Sequence, residues 1–402
     1  MPKICKKLSV TYQPKPREKW TVIQKLGSMG GGLNGGISKV QCSNPKARGM
    51  VFIEKRFNKD AFKNDVPRKE IQILHQVQDH ENITKMVDHF FDKHKPDGAV
   101  YLEYCTVGNL ADVALNVAMG AHVNEHKIWR WFFELSSALT YCHRGPQPNM
   151  TDDEIFQSGW SKIYHRDIKP ANILLTMQGD TVIAKLADFG LALTEDYLSL
   201  ERSIERAIME PGGTPGFDAP EFPLFSGASD VWQLGLSMVC ACTGIVGPLS
   251  KEFPHGQRWD KEKPAGSSYT RELSSILKKS LEEDFRKRVR IYPLLMNIKA
   301  EYGVIKQRLP IDKRLHRVYD LAEEHDKGKP PAGHRRPKHH FTKWEGPARP
   351  GHTGDHGNPM PFYGAGFDED ELDQFNSGMG YGPYMPGNFD PRRINAFNQG
   401  LW

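Results

Sequence analysis

Between Trp20 and Gly98 the apolar positions recur mostly at the two-residue interval of extended strands. Residues 21–26 alternate as a strand, a glycine-rich turn follows, and residues 37–41 and 50–57 read as a pair of strands. Residues 68–77 change period, with Ile71, Leu74 and Val77 on one face of a helix. From Leu110 to about Tyr302 the pattern is mainly helical. Residues 126–142 align Ile128, Phe132, Leu135, Leu139 and Cys142, residues 231–240 are largely apolar as in a buried helix, and residues 273–281 are amphipathic. One hairpin interrupts this half, with strands at 173–175 and 182–186 around a turn at Gln178-Gly179-Asp180. The pattern predicts an α+β chain with a strand-rich first lobe (about 20–102) and a mainly helical second lobe (about 106–303), then a short helical segment at 304–327.

Composition adds the ends. Residues 1–19 are basic and contain prolines, as a loose lead-in would. From about Gly328 to Trp402 glycine, proline, histidine, arginine and asparagine dominate, which predicts a disordered tail. The 38% hydrophobic content is low for a wholly globular chain, and this tail accounts for most of the deficit. The formal net charge of +5 suits anionic small ligands and is too weak to argue for nucleic acid. Six cysteines without a CxxC pair are expected to be ordinary thiols in a reduced, intracellular setting, cytoplasmic or nuclear. Arg335-Arg336-Pro337-Lys338 is a weak nuclear-import pattern. No apolar run reaches membrane-spanning length, and residues 1–8 lack the apolar core of a signal peptide, so no membrane partner is expected.

The candidate chemistry lies around the hairpin. Phosphoryl transfer asks a protein to align phosphates, neutralise their charge and orient a hydroxyl. Asp167 can orient the hydroxyl and accept its proton, and Lys169 can contact the transferred phosphate. Asn172 and Asp188 can hold Mg²⁺ at the ends of two loops that the hairpin brings together. Upstream, Gly30, Gly32 and Gly35 with Ile37 fit G-x-G-x-x-G-x-Φ, where the missing Cβ atoms let backbone N–H groups approach phosphate oxygens. Lys55 closes a predicted strand and can neutralise the α- and β-phosphates of ATP, with Glu70 as its partner.

His165-Arg166-Asp167, Asp188-Phe189-Gly190 and Ala219-Pro220-Glu221, with these upstream residues, resemble the signature set of the eukaryotic protein kinase superfamily from about Trp20 to Tyr302. The resemblance implies a bilobal fold with an ATP cleft between the lobes. It implies Leu102 as the residue gating the pocket, Glu103 and Cys105 bonding adenine through their backbones, and Leu174 flooring the slot. Leu74, Met86, His165 and Phe189 would stack, Asp230 would anchor the catalytic loop, and Glu221 would pair with Arg288. Lys169 and Thr214 imply serine and threonine as acceptors on protein substrates. Arg166 implies regulation by phosphorylation between residues 188 and 221, with Ser199 and Ser203 as candidates.

Three departures stand out. Ile53 replaces the usual alanine roofing the adenine and should narrow the slot. Ala171 replaces the usual acidic residue before Asn172. Residues 144–162 hold an insertion expected on the surface of the second lobe, where a partner can dock. A non-catalytic kinase-like scaffold is the rival reading. It would be expected to have lost Lys55, Asp167 or Asp188, all of which are present, whereas a small-molecule phosphotransferase would lack Ala219-Pro220-Glu221.

Overall fold

The computed structural model describes residues 13–27, 34–92, 94–195, 213–245 and 259–310. Gly30, Gly32, Ser199, Ser203, the tail from 328 and most of the 304–327 segment lie outside the described residues.

The first lobe is a five-stranded antiparallel sheet in the order β1-β2-β3-β5-β4. Its strands are β1 (Trp20–Gly27), β2 (Asn34–Cys42), β3 (Val51–Phe57), β4 (Met86–Asp92) and β5 (Asp97–Glu103). Between β3 and β4 lie α1 (Lys59–Lys63) and α2 (Val66–Val77). Ile71, Leu74 and Val77 of α2 are buried, as their spacing requires. Gln13 lies outside β4 in an antiparallel bridge to Phe91. The buried Asp88 carboxylate ties this entry segment down, accepting hydrogen bonds from the Glu18 amide (3.0 Å) and the Trp20 indole (3.1 Å). Trp20 then stacks on Tyr101 at 4.4 Å, part of a small satellite core on the outer sheet face.

The second lobe surrounds α4 (Glu125–Arg144), which starts at an Asn124 cap and ends at Gly145 with φ 77°. Trp129, Trp131, Phe132, Leu135 and Leu139 of α4 are fully buried. Full burial of one such side chain is worth roughly 1.5–3 kcal/mol, which makes this helix a main source of the lobe's stability. The strand pair β8 (Ile173–Gln178) and β9 (Thr181–Leu186) lies against α4, with β6 (Gly108–Asn109) on the far edge of β8. A second small pair joins β7 (Ile163–Tyr164) to β10 (Leu193–Thr194). The remaining helices are α3 (Leu110–Ala118), α5 (Asp152–Ser158), α6 (Gly227–Thr243), α7 (Arg271–Ser280) and α8 (Ile291–Ile305). Residues 229–242 of α6 are all buried, so its apolar residues lie all round the helix, and the polar Asp230 and Gln233 among them are hydrogen-bonded. The boundary placed at residue 303 falls inside the last turn of α8.

The insertion at 144–162 is an ordered hook. Thr151 and Glu154 form a capping box that starts α5, and Arg144 reaches across to the Pro148 carbonyl at 2.7 Å. Trp160 is buried against Gly145 and donates its indole N–H to the Cys142 carbonyl at 3.1 Å. One residue on, the Ser161 carbonyl accepts a hydrogen bond from Gln76 of α2 at 2.7 Å, so the hook touches the first lobe.

Candidate active site

Strand register places the roof of the cleft. Ile37 and Lys55 are direct partners across β2 and β3, and Ile53 is the partner of Leu102 across β3 and β5. Opposed residues share a face, as do residues two apart, so Ile37, Ile53, Lys55 and Leu102 all point the same way. Gly35 lets β2 approach β3 closely, since a Cβ there would lie 2.9 Å from the Phe57 carbonyl carbon. Leu174, half-buried between the buried Ile173 and Leu175, alternates out of the β8 core on the opposite side of the cleft. At its outer edge the Lys39 ammonium sits over the Tyr104 ring at 4.4 Å.

Lys55 Nζ lies 2.8 Å from Glu70 Oε1 and 2.7 Å from Asp188 Oδ1. Burial alone would push the Lys55 ammonium down, but the two carboxylates outweigh it and hold it above its ordinary value. Burial pushes the Glu70 carboxyl up against the pull of Lys55. Burial would also raise Asp188, yet the Lys55 charge and hydrogen bond, helped by the Gly190 amide, hold it at about 2. Asp188 is therefore an anion at neutral pH. Its backbone is left-handed, with φ 64°, a conformation costing roughly 1–3 kcal/mol that these contacts fix in place. Gly190 leaves the room, because a Cβ at that position would lie 3.2 Å from both Lys55 Nζ and Asp188 Oδ1.

A second constellation surrounds Asp167. Its Oδ1 accepts a hydrogen bond from Thr214 at 2.6 Å, and its Oδ2 accepts one from Asn172 Nδ2 at 2.9 Å and lies 3.0 Å from Lys169 Nζ. Lys169 also donates to Thr214 Oγ1 at 2.6 Å, closing a triangle. The loop beneath is held by Asp230, 1% exposed, which accepts the His165 amide at 3.0 Å and the Arg166 amide at 2.8 Å and lies 2.9 Å from His143 Nε2. These bonds stabilise Arg166 in another left-handed conformation, φ 70°. Gln233 assists, donating to the Arg166 carbonyl and accepting from the Ile168 amide. His165 packs on Phe189 at 4.8 Å. Burial holds its imidazole down, and its Nδ1 accepts the Asp167 amide, so the neutral ring carries its proton on Nε2, 3.1 Å from the Ala187 carbonyl.

The remaining expected residues fall into a consistent frame. Leu74 and Phe189 are buried in the main core and Met86 packs against it. Glu221 pairs with both guanidinium nitrogens of the buried Arg288, at 2.7 and 2.9 Å. The Glu103 amide is used by the Lys85 carbonyl, whereas the Cys105 amide makes no hydrogen bond among the described residues. Burial pushes the Cys105 thiol up to about 12, so it is not a nucleophile at neutral pH. Arg166 is buried with its guanidinium over the Phe225 ring at 4.7 Å.

The donors near Asp188 suit a hard cation. Asn172 commits its NH₂ to Asp167, which leaves its amide oxygen as a ligand atom, and Asp188 supplies an ionised carboxylate. Mg²⁺ is bound by one or two carboxylates with substrate phosphates and water, and no cluster of three or more acidic, His or Cys ligands occurs among the described residues.

Sequence reasoning missed several contacts. The Glu103 carboxylate accepts from Lys185 of β9 at 2.9 Å and from the Lys85 amide at 2.8 Å, bracing the end of β5 against the strand that leads to Asp188. Glu134 of α4 accepts the Ala184 amide at 2.8 Å. Only the Lys185–Glu103 charge pairing had any sequence signal, and it spans 82 positions.

The family model "Protein kinase domain" matches residues 21–297. Human serine/threonine-protein kinase Nek2 is 25% identical over 313 residues, covering 75% of this chain and 64% of that protein. The G2-specific protein kinase nim-1 of Neurospora crassa is 28% identical over 289 residues, covering 66% of this chain and 31% of that protein. The chain thus spans less than two thirds of either relative. Among solved structures, a chain of the CAK complex from Chaetomium thermophilum bound to ATP-gamma-S aligns over 69% of this chain and 90% of that one, at 21% identity and a TM-score of 0.49. With the family model spanning well over half of its length, and with its signature residues gathered in one cleft, the chain belongs to the protein kinase domain family.

Proposed function

We propose that the chain transfers the γ-phosphoryl group of ATP to serine or threonine hydroxyls of protein substrates. The observation that carries this reading is the Asp167 carboxylate held by Asn172, Lys169 and Thr214. Those contacts fix where Asp167 points. It accepts the acceptor hydroxyl's proton as the oxygen attacks the γ-phosphorus and the bond to the ADP oxygen breaks. Lys169 balances the negative charge of the transferred group. Lys55, kept cationic by two carboxylates, binds the α- and β-phosphates, and Glu70 keeps it aimed. Gly30, Gly32 and Gly35 cover the phosphates, and the Glu103 carbonyl and Cys105 amide bond the adenine between Ile37, Ile53 and Leu174. Asp188 and Asn172 would hold Mg²⁺, which supplies charge neutralisation across the phosphates.

Phosphorylation between residues 188 and 221 regulates the site in this reading. The five described cysteines are free thiols, which fits an intracellular setting. No helix among the described residues is long and apolar enough to cross a membrane.

Radiolabelled phosphate transfer to a mixed protein substrate tests the proposal. Asp167→Asn should lower the rate by roughly 10²–10⁴-fold with little change in nucleotide affinity. Equal rates for wild type and variant would remove the catalytic reading and favour a scaffold.

A further inference from the structure

Lys39 of β2 takes no part in the phosphate chemistry described above. It is the register partner of Ile53, which is itself opposite Leu102, so it projects from the cleft face beside them. Tyr104 follows β5 and stands between Glu103 and Cys105, the two residues whose backbones meet adenine in the proposed function. β3 separates β2 from β5, which puts those two strands about 10 Å apart at roughly 4.8 Å per strand step. The Lys39 side chain crosses that gap, and its ammonium sits over the Tyr104 ring at 4.4 Å. Both residues are half-buried, and Lys39 has no carboxylate partner among the described residues. A strand-end ammonium is strongly hydrated and extends into water unless something holds it. Here the stem lies along the mouth of the slot and the face of the ring holds the head.

We propose that Lys39 and Tyr104 form a gate across the outer mouth of the slot, which opens to admit and release the nucleotide. The identity of the ligand rests on the kinase reading above. Roof and floor are fixed by backbone pairing, with Ile37 and Ile53 on one side and Leu174 on the other. The Lys39–Tyr104 contact differs in kind. It joins two elements that share no ladder and is made by side-chain atoms, so it opens by rotamer changes that leave every strand paired. A half-exposed cation–π contact favours its closed form about two- to fivefold. The mouth is then open for about a third to a sixth of the time, and passage in both directions is slowed by that factor. This distinguishes a gate from a binding contact. A gate slows entry and exit alike and leaves affinity unaltered, whereas a lysine that held the nucleotide would slow exit alone.

Stopped-flow binding of an ATP analogue with a fluorophore on its γ-phosphate, remote from the mouth, measures both rates on the full chain with Mg²⁺. Lys39→Met keeps the stem and removes the charge. It should raise the entry and exit rates together by about three- to sixfold, with Kd within about twofold of wild type. Tyr104→Leu should do the same, and the double variant no more than either single one, because the two residues make one contact. Lys39→Arg and Tyr104→Phe keep a cation and a ring and should retain the wild-type rates. Unaltered rates in both Lys39→Met and Tyr104→Leu overturn the gate and leave the kinase reading intact, and so do single effects that multiply in the double variant. Faster exit with an unaltered entry rate also overturns it and makes Lys39 a direct nucleotide contact. Failure of the wild-type chain to bind the analogue removes the kinase reading and the gate with it.

Discussion

Single residues decide the shape of the slot that the proposed function gives to the nucleotide. Ile53 shares the cleft face with Ile37, Lys55 and Leu102, so its side chain fills volume that alanine would leave open. Ile53→Ala should raise the affinity of adenine analogues with bulky ring substituents by roughly tenfold, the scale of 1–3 kcal/mol set by one or two methylene-sized groups in an apolar pocket. ATP affinity should change less. Competition binding against a panel of analogues measures both, and an unchanged panel would show that Ile53 does not limit the slot. At this scale the sequence was highly legible where a residue belongs to a short motif. Asp167, Lys169, Asn172 and Asp188 lie within 22 positions, and the structure brings them to one end of the β8–β9 pair. Lys55 and Glu70, expected as partners, lie 2.8 Å apart. The donors gathered around the buried Asp88 were not foreseen, because an aspartate on a strand looks like any solvated charge until Glu18 and Trp20 fold over it.

Elements were legible through their periodicity, and their ends less so. The helix read at 126–142 extends to Glu125–Arg144 because Asn124 and Gly145 cap it. α6 begins at Gly227 rather than 231, since its capping box uses Ser226 with Ser229 instead of a glutamate. Thr151 and Glu154 carry the ordinary capping-box signal, which reading 144–162 only as a surface insertion left unused, and α5 was missed. Contacts between elements that lie outside the kinase motifs could not be read. Glu134 on α4 is one: burial pushes its carboxyl up to about 7, against the pull of the Ala184 amide and Arg130 and with Glu81 adding to the rise. An unfolded glutamate titrates near 4.3, so between about pH 4.3 and 7 the folded state holds the extra proton. Folding stability attributable to this group therefore falls as pH rises through that window. Glu134→Gln should remove that fall. Thermal melts should show the variant more stable at pH 8, by about 1–2 kcal/mol allowing for partial solvent screening, and the gap should close by pH 4. An equal gap at both pH values would mean that the charge is not the cause.

For the whole molecule, charge pairs join the two lobes at their boundary. Lys55 and Glu70 come from the first, Asp188 from the loop after β9, and Lys185 with Glu103 joins the second lobe to the end of β5. A ligand seated across that boundary should stabilise both lobes together. ATP with Mg²⁺ at a hundred times its dissociation constant should add about 2.7 kcal/mol, seen as a single melting transition moved upwards. Asp188→Asn should abolish the Mg²⁺-dependent part of this shift while leaving the metal-free part. A shift that ignores Mg²⁺ in the wild type would exclude Asp188 and Asn172 as its ligands. The two-lobe division was plain in the sequence because the period of the apolar residues changes near residue 106, whereas the brace across it depends on side chains 82 positions apart.

The hook at residues 144–162 has a consequence for how this chain tolerates change in length. Trp160 fills the space where a Cβ on Gly145 would go, at 2.8 Å, so the two ends are fitted to each other. The polypeptide between them meets the rest of the lobe mainly through Arg144 and Ile155, and Phe156 at its crest is 81% exposed. Extra residues spliced in near Phe156 would project into water and leave both ends seated, whereas any side chain at position 145 would unseat Trp160 and loosen the Ser161 link to α2. The same stretch is thus open to growth at its crest and closed to substitution at its root, which makes the crest the natural place to graft a reporter or an affinity tag without disturbing the fold.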